Sequence, residues 1–196
     1  MKIISAKFIK SATNPSQYPD LGVPEFAFYG RSNTGKSTLI NMLVNKQGLV
    51  KTGSRPGMTQ LINFFMVNDA FCLTDLPGFG YAEVPEAVRK GFKPMLEEYC
   101  NSRETLKTVF FLMDLRREPG DTDAQMLEVI QSRQVPIALV GTKADKLSKN
   151  QVNQAIFKWS KAFDIEPSDI FVTSSLKLQG RKELLALIQE QTLSSE

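Results

Sequence analysis

Apolar positions along this chain gather into short runs separated by polar, glycine- and proline-bearing stretches, and the runs alternate between two periods. The runs FAFY (26–29), LINFFMV (61–67), AFCLTD (70–75), TVFFLMDL (108–115), VPIALVG (135–141) and DIFV (169–172) are short and nearly continuous in apolar character. Runs of that kind, rich in aromatic and β-branched residues, predict strands buried on both faces. Between them, STLINMLVNK (37–46) and stretches near 121–133, 148–163 and 181–191 carry apolar residues at three- and four-residue spacing, which predicts helices. A further helical stretch from Pro85 places Val88, Phe92, Met95, Leu96 and Tyr99 on one face, with Gly91 and Pro94 expected to kink or interrupt it. Asn68 and Asp69 lie between two strand runs and predict a hairpin turn. Strands alternating with helices predict an α/β fold, a mainly parallel sheet covered by helices on both faces.

Composition narrows the class. With 196 residues, 42% apolar and 23% charged, the chain fits one globular domain. We expect a lead segment over residues 1–23 packed on a single domain of residues 24–191, with a short frayed tail at 192–196. Lysines at positions 2, 7 and 10 interrupt the opening MKIISAKFIK, so it lacks the unbroken apolar run of a signal peptide or spanning helix. A cytoplasmic protein with no membrane partner is expected. Cys72 and Cys100 have no CxxC spacing, which argues against a disulfide or zinc site, and the absence of histidine removes His-dependent triads and an imidazole base. The net charge is +3, but residues 1–60 hold eight Lys or Arg against two acids, leaving sixteen against nineteen in the remainder. That asymmetry suits a polyanion, part of it serving bound phosphates, and equally suits a solvated basic face.

Four segments carry chemistry. GRSNTGKS, comprising Gly30, Arg31, Ser32, Asn33, Thr34, Gly35, Lys36 and Ser37, matches GxxxxGK[ST] and sits between a predicted strand and a predicted helix. Its backbone amides and the helix N-terminus suit phosphate, Lys36 can reach the β and γ phosphates, and the Ser37 hydroxyl can ligate Mg²⁺. DLPG, comprising Asp75, Leu76, Pro77 and Gly78, ends a predicted strand, so Asp75 can hold the Mg²⁺ shell through water while the Gly78 amide approaches the γ-phosphate. TKAD, with Thr142, Lys143, Ala144 and Asp145, and TSS, with Thr173, Ser174 and Ser175, follow two later strands at the ends where open α/β sheets bind ligands. The Asp145 carboxylate can accept from N1–H and the 2-amino group of guanine, donors adenine lacks, while Lys143 covers the base and an amide near Ser174 and Ser175 donates to O6. In isolation TKAD reads first as a solvated turn capping the next helix; in register with GRSNTGKS and DLPG the base-binding reading takes precedence.

In order, these motifs resemble those of translation-factor-related P-loop GTPases, and SATNPSQYP, GRSNTGKSTLIN, SRPGMTQLINFF, LTDLPGFGYAEVP, LMDLRR, TKADKLS and SSLKLQG resemble the EngB family (YihA/YsxC type) over nearly the whole chain. The resemblance implies a Ras-like fold of about six strands with the second antiparallel, GTP and GDP binding with Mg²⁺, and a role in assembly of the large ribosomal subunit. The family is also associated with cell division and septation. It implies a first switch at Gly57, Met58, Thr59, Gln60 and Leu61, with Thr59 joining Ser37 on Mg²⁺ when the γ-phosphate is present. It also implies K⁺ as a further candidate ion beside Asn33. Thus Lys36, Thr59, Asp75, Gly78 and Asn33 are the candidate catalytic groups, and Ser37 and Thr59 the metal ligands.

Two departures bear on mechanism. Phe79 stands where Ras-like enzymes carry a water-orienting glutamine, which implies slow intrinsic hydrolysis, and Thr142 replaces an asparagine, which leaves one loop-bridging hydrogen bond open. Lys51, Arg55, Arg89, Lys90, Lys93, Arg116 and Arg117 form a candidate surface for ribosomal RNA phosphates. No DNA partner is expected, and a monomer is. A P-loop ATPase or small-molecule kinase, and a GTP- or GDP-binding scaffold with negligible turnover, remain the competing readings.

Overall fold

The computed structural model describes residues 1–51, 61–80 and 86–194, with the backbone alone at 86, 88 and 89. In chain order the elements are β1 (Ala6–Ala12), β2 (Glu25–Gly30), α1 (Lys36–Val44), β3 (Ile62–Val67), β4 (Phe71–Asp75), α2 (Glu86–Ser102), β5 (Leu106–Asp114), α3 (Asp121–Ser132), β6 (Ile137–Thr142), α4 (Lys149–Phe163), β7 (Ile170–Val172) and α5 (Arg181–Leu193). They build one seven-stranded sheet in the order β1-β3-β4-β2-β5-β6-β7. β3 alone runs against the others, pairing antiparallel with both β1 and β4, while β4, β2, β5, β6 and β7 are parallel.

The continuous apolar runs exist because both faces of the central strands are covered. Along β2, Phe26 and Phe28 point to one face with α1 and α5, where they meet Phe110, Leu39, Leu43, Leu184 and Ile188. Ala27 and Tyr29 point to the other, into a core with Phe111 that α2, α3 and α4 close with Leu96, Met126, Ile130 and Trp159. The period of two along the strands thus sorts one sequence into two cores. Cys72 and Cys100 are buried free thiols, one in a strand and one in a helix.

Three features differ from the sequence expectation. The sheet has seven strands rather than about six, because the lead contributes β1, which pairs with β3 across a bulge between Phe8 and Lys10. α2 runs unbroken through Gly91 and Pro94; both are exposed, so water can serve backbone groups that the proline leaves without a helical partner. α5 extends to Leu193, two residues past the periodic stretch. The Asn68–Asp69 turn forms as expected: both residues take positive φ and Ala70 N–H donates to Val67 O, with residues 68–70 between the paired Val67 and Phe71. Asn68 does more than turn the chain: its side chain accepts from the Ile4 and Ser5 amides and donates to Lys2 O, tying the N-terminal arm to the hairpin.

Candidate nucleotide site

The carboxyl ends of β2, β4, β6 and β7 all open on the same edge of the sheet, and each delivers one of the four motifs. β2 ends at Gly30, which must be glycine because a Cβ there would stand 2.6 Å from Leu112 O of β5. The chain then loops through Arg31–Gly35, with the Thr34 amide and hydroxyl both donating to Arg31 O, and enters α1 at Lys36. The first-turn amides of α1 have no carbonyl four residues back, which leaves them directed at whatever the loop encloses. Lys36 is buried, its Nζ 3.4 Å from both Gly30 O and Arg31 O. Burial pushes its pKa down, a displacement that neighbouring Asp75 only partly offsets.

Asp75, at the end of β4, accepts from Ser37 Oγ through Oδ2 at 3.1 Å, whereas its Oδ1 is buried with no hydrogen-bond partner. Burial raises its pKa against the opposing influence of Lys36 and Ser37. An orphaned carboxylate oxygen beside a serine hydroxyl is a hard-oxygen donor set that fits Mg²⁺ and its water shell. Among the described residues no group of three or more His, Cys, Asp or Glu could hold a metal, and Mg²⁺ characteristically takes few protein ligands and shares itself with phosphates. Gly57, Met58, Thr59 and Gln60 lie outside the described residues, and Leu61 is half-buried just before β3.

The DLPG segment lies directly on the phosphate loop. Leu76 is buried and its amide donates to Phe28 O, Phe79 N–H donates to Gly30 O at 3.3 Å, and Ser32 N–H donates to Phe79 O at 2.8 Å. A Cβ at Gly78 would meet Lys36 Nζ at 2.6 Å and the Ser32 backbone at 2.9 Å. Phe79 is buried, its ring packed on Tyr29 and Phe111, so its side chain belongs to the core and faces no solvent.

On the base side, Thr142 settles the bond left open by the missing asparagine. Its Oγ1 lies 2.7 Å from Thr34 O and 3.1 Å from Met113 O, so the hydroxyl bridges the TKAD strand to the phosphate loop. Lys143 takes a left-handed φ and its ammonium donates to Asn33 O and to Asp114 Oδ2 at 3.0 Å. The Asp145 carboxylate accepts from Ser174 Oγ at 2.8 Å, which joins the two base motifs. That hydrogen bond, with the Lys146 ammonium nearby, holds its pKa below the ordinary carboxylate value, so it is a charged acceptor at neutral pH. Ala144 and Thr173 frame the site: Ala144 N–H donates to Thr173 O, and Thr173 donates to Gly141 O through its amide and hydroxyl. Ser175 follows, half-buried.

Three placements were not legible in the motifs. Arg31 turns away from the loop interior and forks onto buried Asp123 of α3, through Nε at 2.8 Å and Nη2 at 2.7 Å. Asp114, buried at the end of β5, is held by a fork from Arg116 as well as by Lys143. Arg116 is therefore already paired, whereas Lys51, Lys93 and Arg117 are exposed; Arg55 and the Arg89 side chain lie outside the described residues. The position of Asp114 at the carboxyl end of a central strand was the available signal.

Comparison with known proteins agrees with this geometry. A family profile described as 50S ribosome-binding GTPase matches residues 25–143. The "Probable GTP-binding protein EngB" of Treponema denticola is 46% identical, covering 96% of this chain and 98% of that protein. A crystal structure of "a probable GTP-binding protein engB" superposes with a TM-score of 0.72 at 23% identity, covering 87% of this chain and 99% of that one. The ribosomal-RNA-bound structure of Era with MgGDPNP superposes with a TM-score of 0.64 at 23% identity, covering 86% of this chain and 56% of that one.

Proposed function

Because this chain belongs to the EngB family of GTP-binding proteins, we propose that it binds GTP with Mg²⁺, hydrolyses it slowly to GDP and uses the two states as a switch in assembly of the large ribosomal subunit. The observation that carries the nucleotide reading is the Asp145–Ser174 pair set beside the Lys36, Ser37 and Asp75 cradle at one edge of the sheet. Asp145 accepts from N1–H and the 2-amino group of guanine, and adenine would leave a charged acceptor unpaired, the arrangement that discriminates most strongly. Lys143 covers the base. Lys36 places its charge where negative charge develops on the transferred phosphoryl group.

Ser37 and, by resemblance, Thr59 would hold Mg²⁺, with Asp75 acting through its water shell. When bound, Mg²⁺ neutralises charge across the β and γ phosphates. Phe79 offers no hydrogen bond to a water and is sequestered between Tyr29 and Phe111, which supports slow intrinsic turnover that a partner or ion accelerates. K⁺ beside Asn33 is the ion we propose, and equal turnover in KCl and NaCl, with and without large-subunit particles, would sink that part. The same buried Phe79 favours a second reading, a GTP- or GDP-binding scaffold with negligible turnover, and single-turnover hydrolysis with added 50S particles separates the two. Lys51, Lys93 and Arg117 are proposed to meet ribosomal RNA phosphates, so 50S binding should weaken steeply with salt. Era, which shares the fold, is seen with ribosomal RNA and MgGDPNP together. A role in normal cell division and septation is proposed from the family resemblance alone.

The test is competition among GTP, GDP and ATP in Mg²⁺, repeated on Asp145→Asn with guanine and xanthine nucleotides. The variant loses one charge-assisted acceptor, worth about 1.5–3 kcal/mol, and should shift preference towards xanthine, whose 2-carbonyl accepts from an amide. Equal ATP and GTP binding by the native chain would reduce TKAD to a turn.

A further inference from the structure

The stretch from the last residue of β5 to the first turn of α3 reaches the phosphate loop by two routes, one direct and one through Lys143, and lies in none of the four nucleotide motifs. At its start, buried Asp114 holds the Lys143 ammonium at 3.0 Å, and the same ammonium donates to Asn33 O inside the loop. Arg116 forks onto Asp114 with Nε at 2.9 Å and Nη2 at 2.8 Å, so Asp114 cannot turn away from Lys143 without breaking a bidentate pair. At its end, buried Asp123 holds Arg31, the second residue of the loop, through a bidentate contact. Gly120 N–H donates to the same carboxylate at 3.0 Å, and the Arg31 guanidinium leaves no more than 3.0 Å to where a Gly120 Cβ would stand. The two ends of one short stretch therefore bear on residues 31 and 33, Asp123 directly on the Arg31 side chain and Asp114 through Lys143 on the Asn33 carbonyl.

We propose that residues 114–123 form a brace that presets the phosphate loop for nucleotide, with Asp114 acting through Lys143 and Asp123 acting through Arg31 as positioning residues. The brace rests on the reading of this loop as a guanine-nucleotide site. A loop already fixed at residues 31 and 33 loses less freedom when phosphate arrives, and affinity rises by that saving. Local roles are available to both carboxylates: Asp114 turns the chain by accepting from the Arg116 amide, and Asp123 caps α3 by accepting from Gly120. The substitution Asp→Asn preserves an acceptor for either local role while presenting an amide to the cation, so it separates the brace from the cap.

The experiment measures GDP affinity by titration calorimetry in Mg²⁺ on the full chain, in two double-mutant cycles: Asp123→Asn with Arg31→Met, and Asp114→Asn with Lys143→Met. Melting of the nucleotide-free proteins is followed alongside. Each Asp→Asn change should weaken GDP binding by about tenfold. Each double variant should bind no more weakly than its cation variant alone, since the carboxylate acts only through that cation. Additive losses within a cycle, native affinity in Asp123→Asn, or losses matched by a fall in nucleotide-free melting would overturn the brace. If Asp114→Asn does not fold, the Asp123 cycle decides alone by the same criterion. Native protein that binds no GDP would remove the nucleotide reading itself, an outcome distinct from a native chain that binds well and is indifferent to both carboxylates.

Discussion

Replacing Gly78 by alanine adds one methyl group at the contact between the DLPG segment and the phosphate loop. Its Cβ would stand 2.6 Å from Lys36 Nζ and 2.9 Å from both N and Cα of Ser32. The ammonium ends a flexible chain and can withdraw. The Ser32 backbone cannot, being held by its own 2.8 Å hydrogen bond to Phe79 O. The contact is relieved most directly by lifting Gly78 off the loop, which breaks Ser32 N–H to Phe79 O and Phe79 N–H to Gly30 O. At about 0.5–1.5 kcal/mol net for each bond, the loss is about 1–3 kcal/mol with the Phe79 ring still seated. Expulsion of the ring would add about 1.5–3 kcal/mol of lost burial. Equilibrium urea unfolding of the nucleotide-free chain measures this, with Gly91→Ala as the control. A Cβ at Gly91 meets nothing within 4 Å and the residue lies inside α2, so that substitution should stabilise by about 0.5–1 kcal/mol. Lifting Gly78 also withdraws its amide from the γ-phosphate, so GTP affinity should fall further than GDP affinity. If Gly78→Ala unfolds at the native midpoint and slope and keeps the native GTP to GDP ratio, the contact carries neither stability nor selectivity and the reasoning fails.

Two other outcomes follow from named contacts. Phe79→Gln would place an amide between Tyr29 and Phe111, costing about 3 kcal/mol or more, and since the side chain faces the core, single-turnover hydrolysis should not accelerate; faster turnover would show that the residue can reach solvent and water. Burial of Asp114 acts against its charge, yet Arg116 and Lys143 outweigh it and hold the carboxyl at about 2, below the ordinary 3.8. A depressed folded pKa means stability that is whole above about pH 4 and is lost as pH falls towards 2, so denaturation midpoints across that window should fall less in Asp114→Asn than in the native chain.

The fold was legible wherever one sequence property had one cause. The runs at 26–29 and 108–115 are continuous because both faces of β2 and β5 are covered, and no other setting suits Phe26 to Tyr29. β1 was illegible for the opposite reason: an edge strand buries little, and Lys7, Phe8 and Lys10 stand exposed along it, so no periodic pattern separates it from a loop. Pro94 does not interrupt α2 because it lies on the exposed side, where water can serve the carbonyl left without its helical donor. Within the site, the places of GRSNTGKS and TKAD were readable because each is a fixed pattern of residue types directly after a buried run, β2 and β6. Asp114 and Asp123 belong to no such motif: a carboxylate that holds a lysine or an arginine obeys no spacing rule, and although Asp114 stands at the carboxyl end of a central strand, only the folded contacts show what each one holds.

Thr142 shows how the same logic extends to substitution. A hydroxyl carries one donor where an asparagine amide carries two, so only one phosphate-loop bond can be made in its place, and the structure makes it to Thr34 O. Adjacent grips fall to charged side chains, Lys143 donating to Asn33 O and Asp123 accepting from Arg31, and to the Phe79 carbonyl on Ser32 N–H. Residues 31 to 34 are thereby each held by a different residue. Three of those four holds come from Thr142 and Lys143 at the end of β6 and from Asp123 at the start of α3. The fourth comes from the segment that follows Asp75, the carboxylate with an unpartnered oxygen. In the proposed function, a cation and γ-phosphate at Asp75 and Gly78 would act on the one hold that comes from neither β6 nor α3, the arrangement a nucleotide-dependent switch requires.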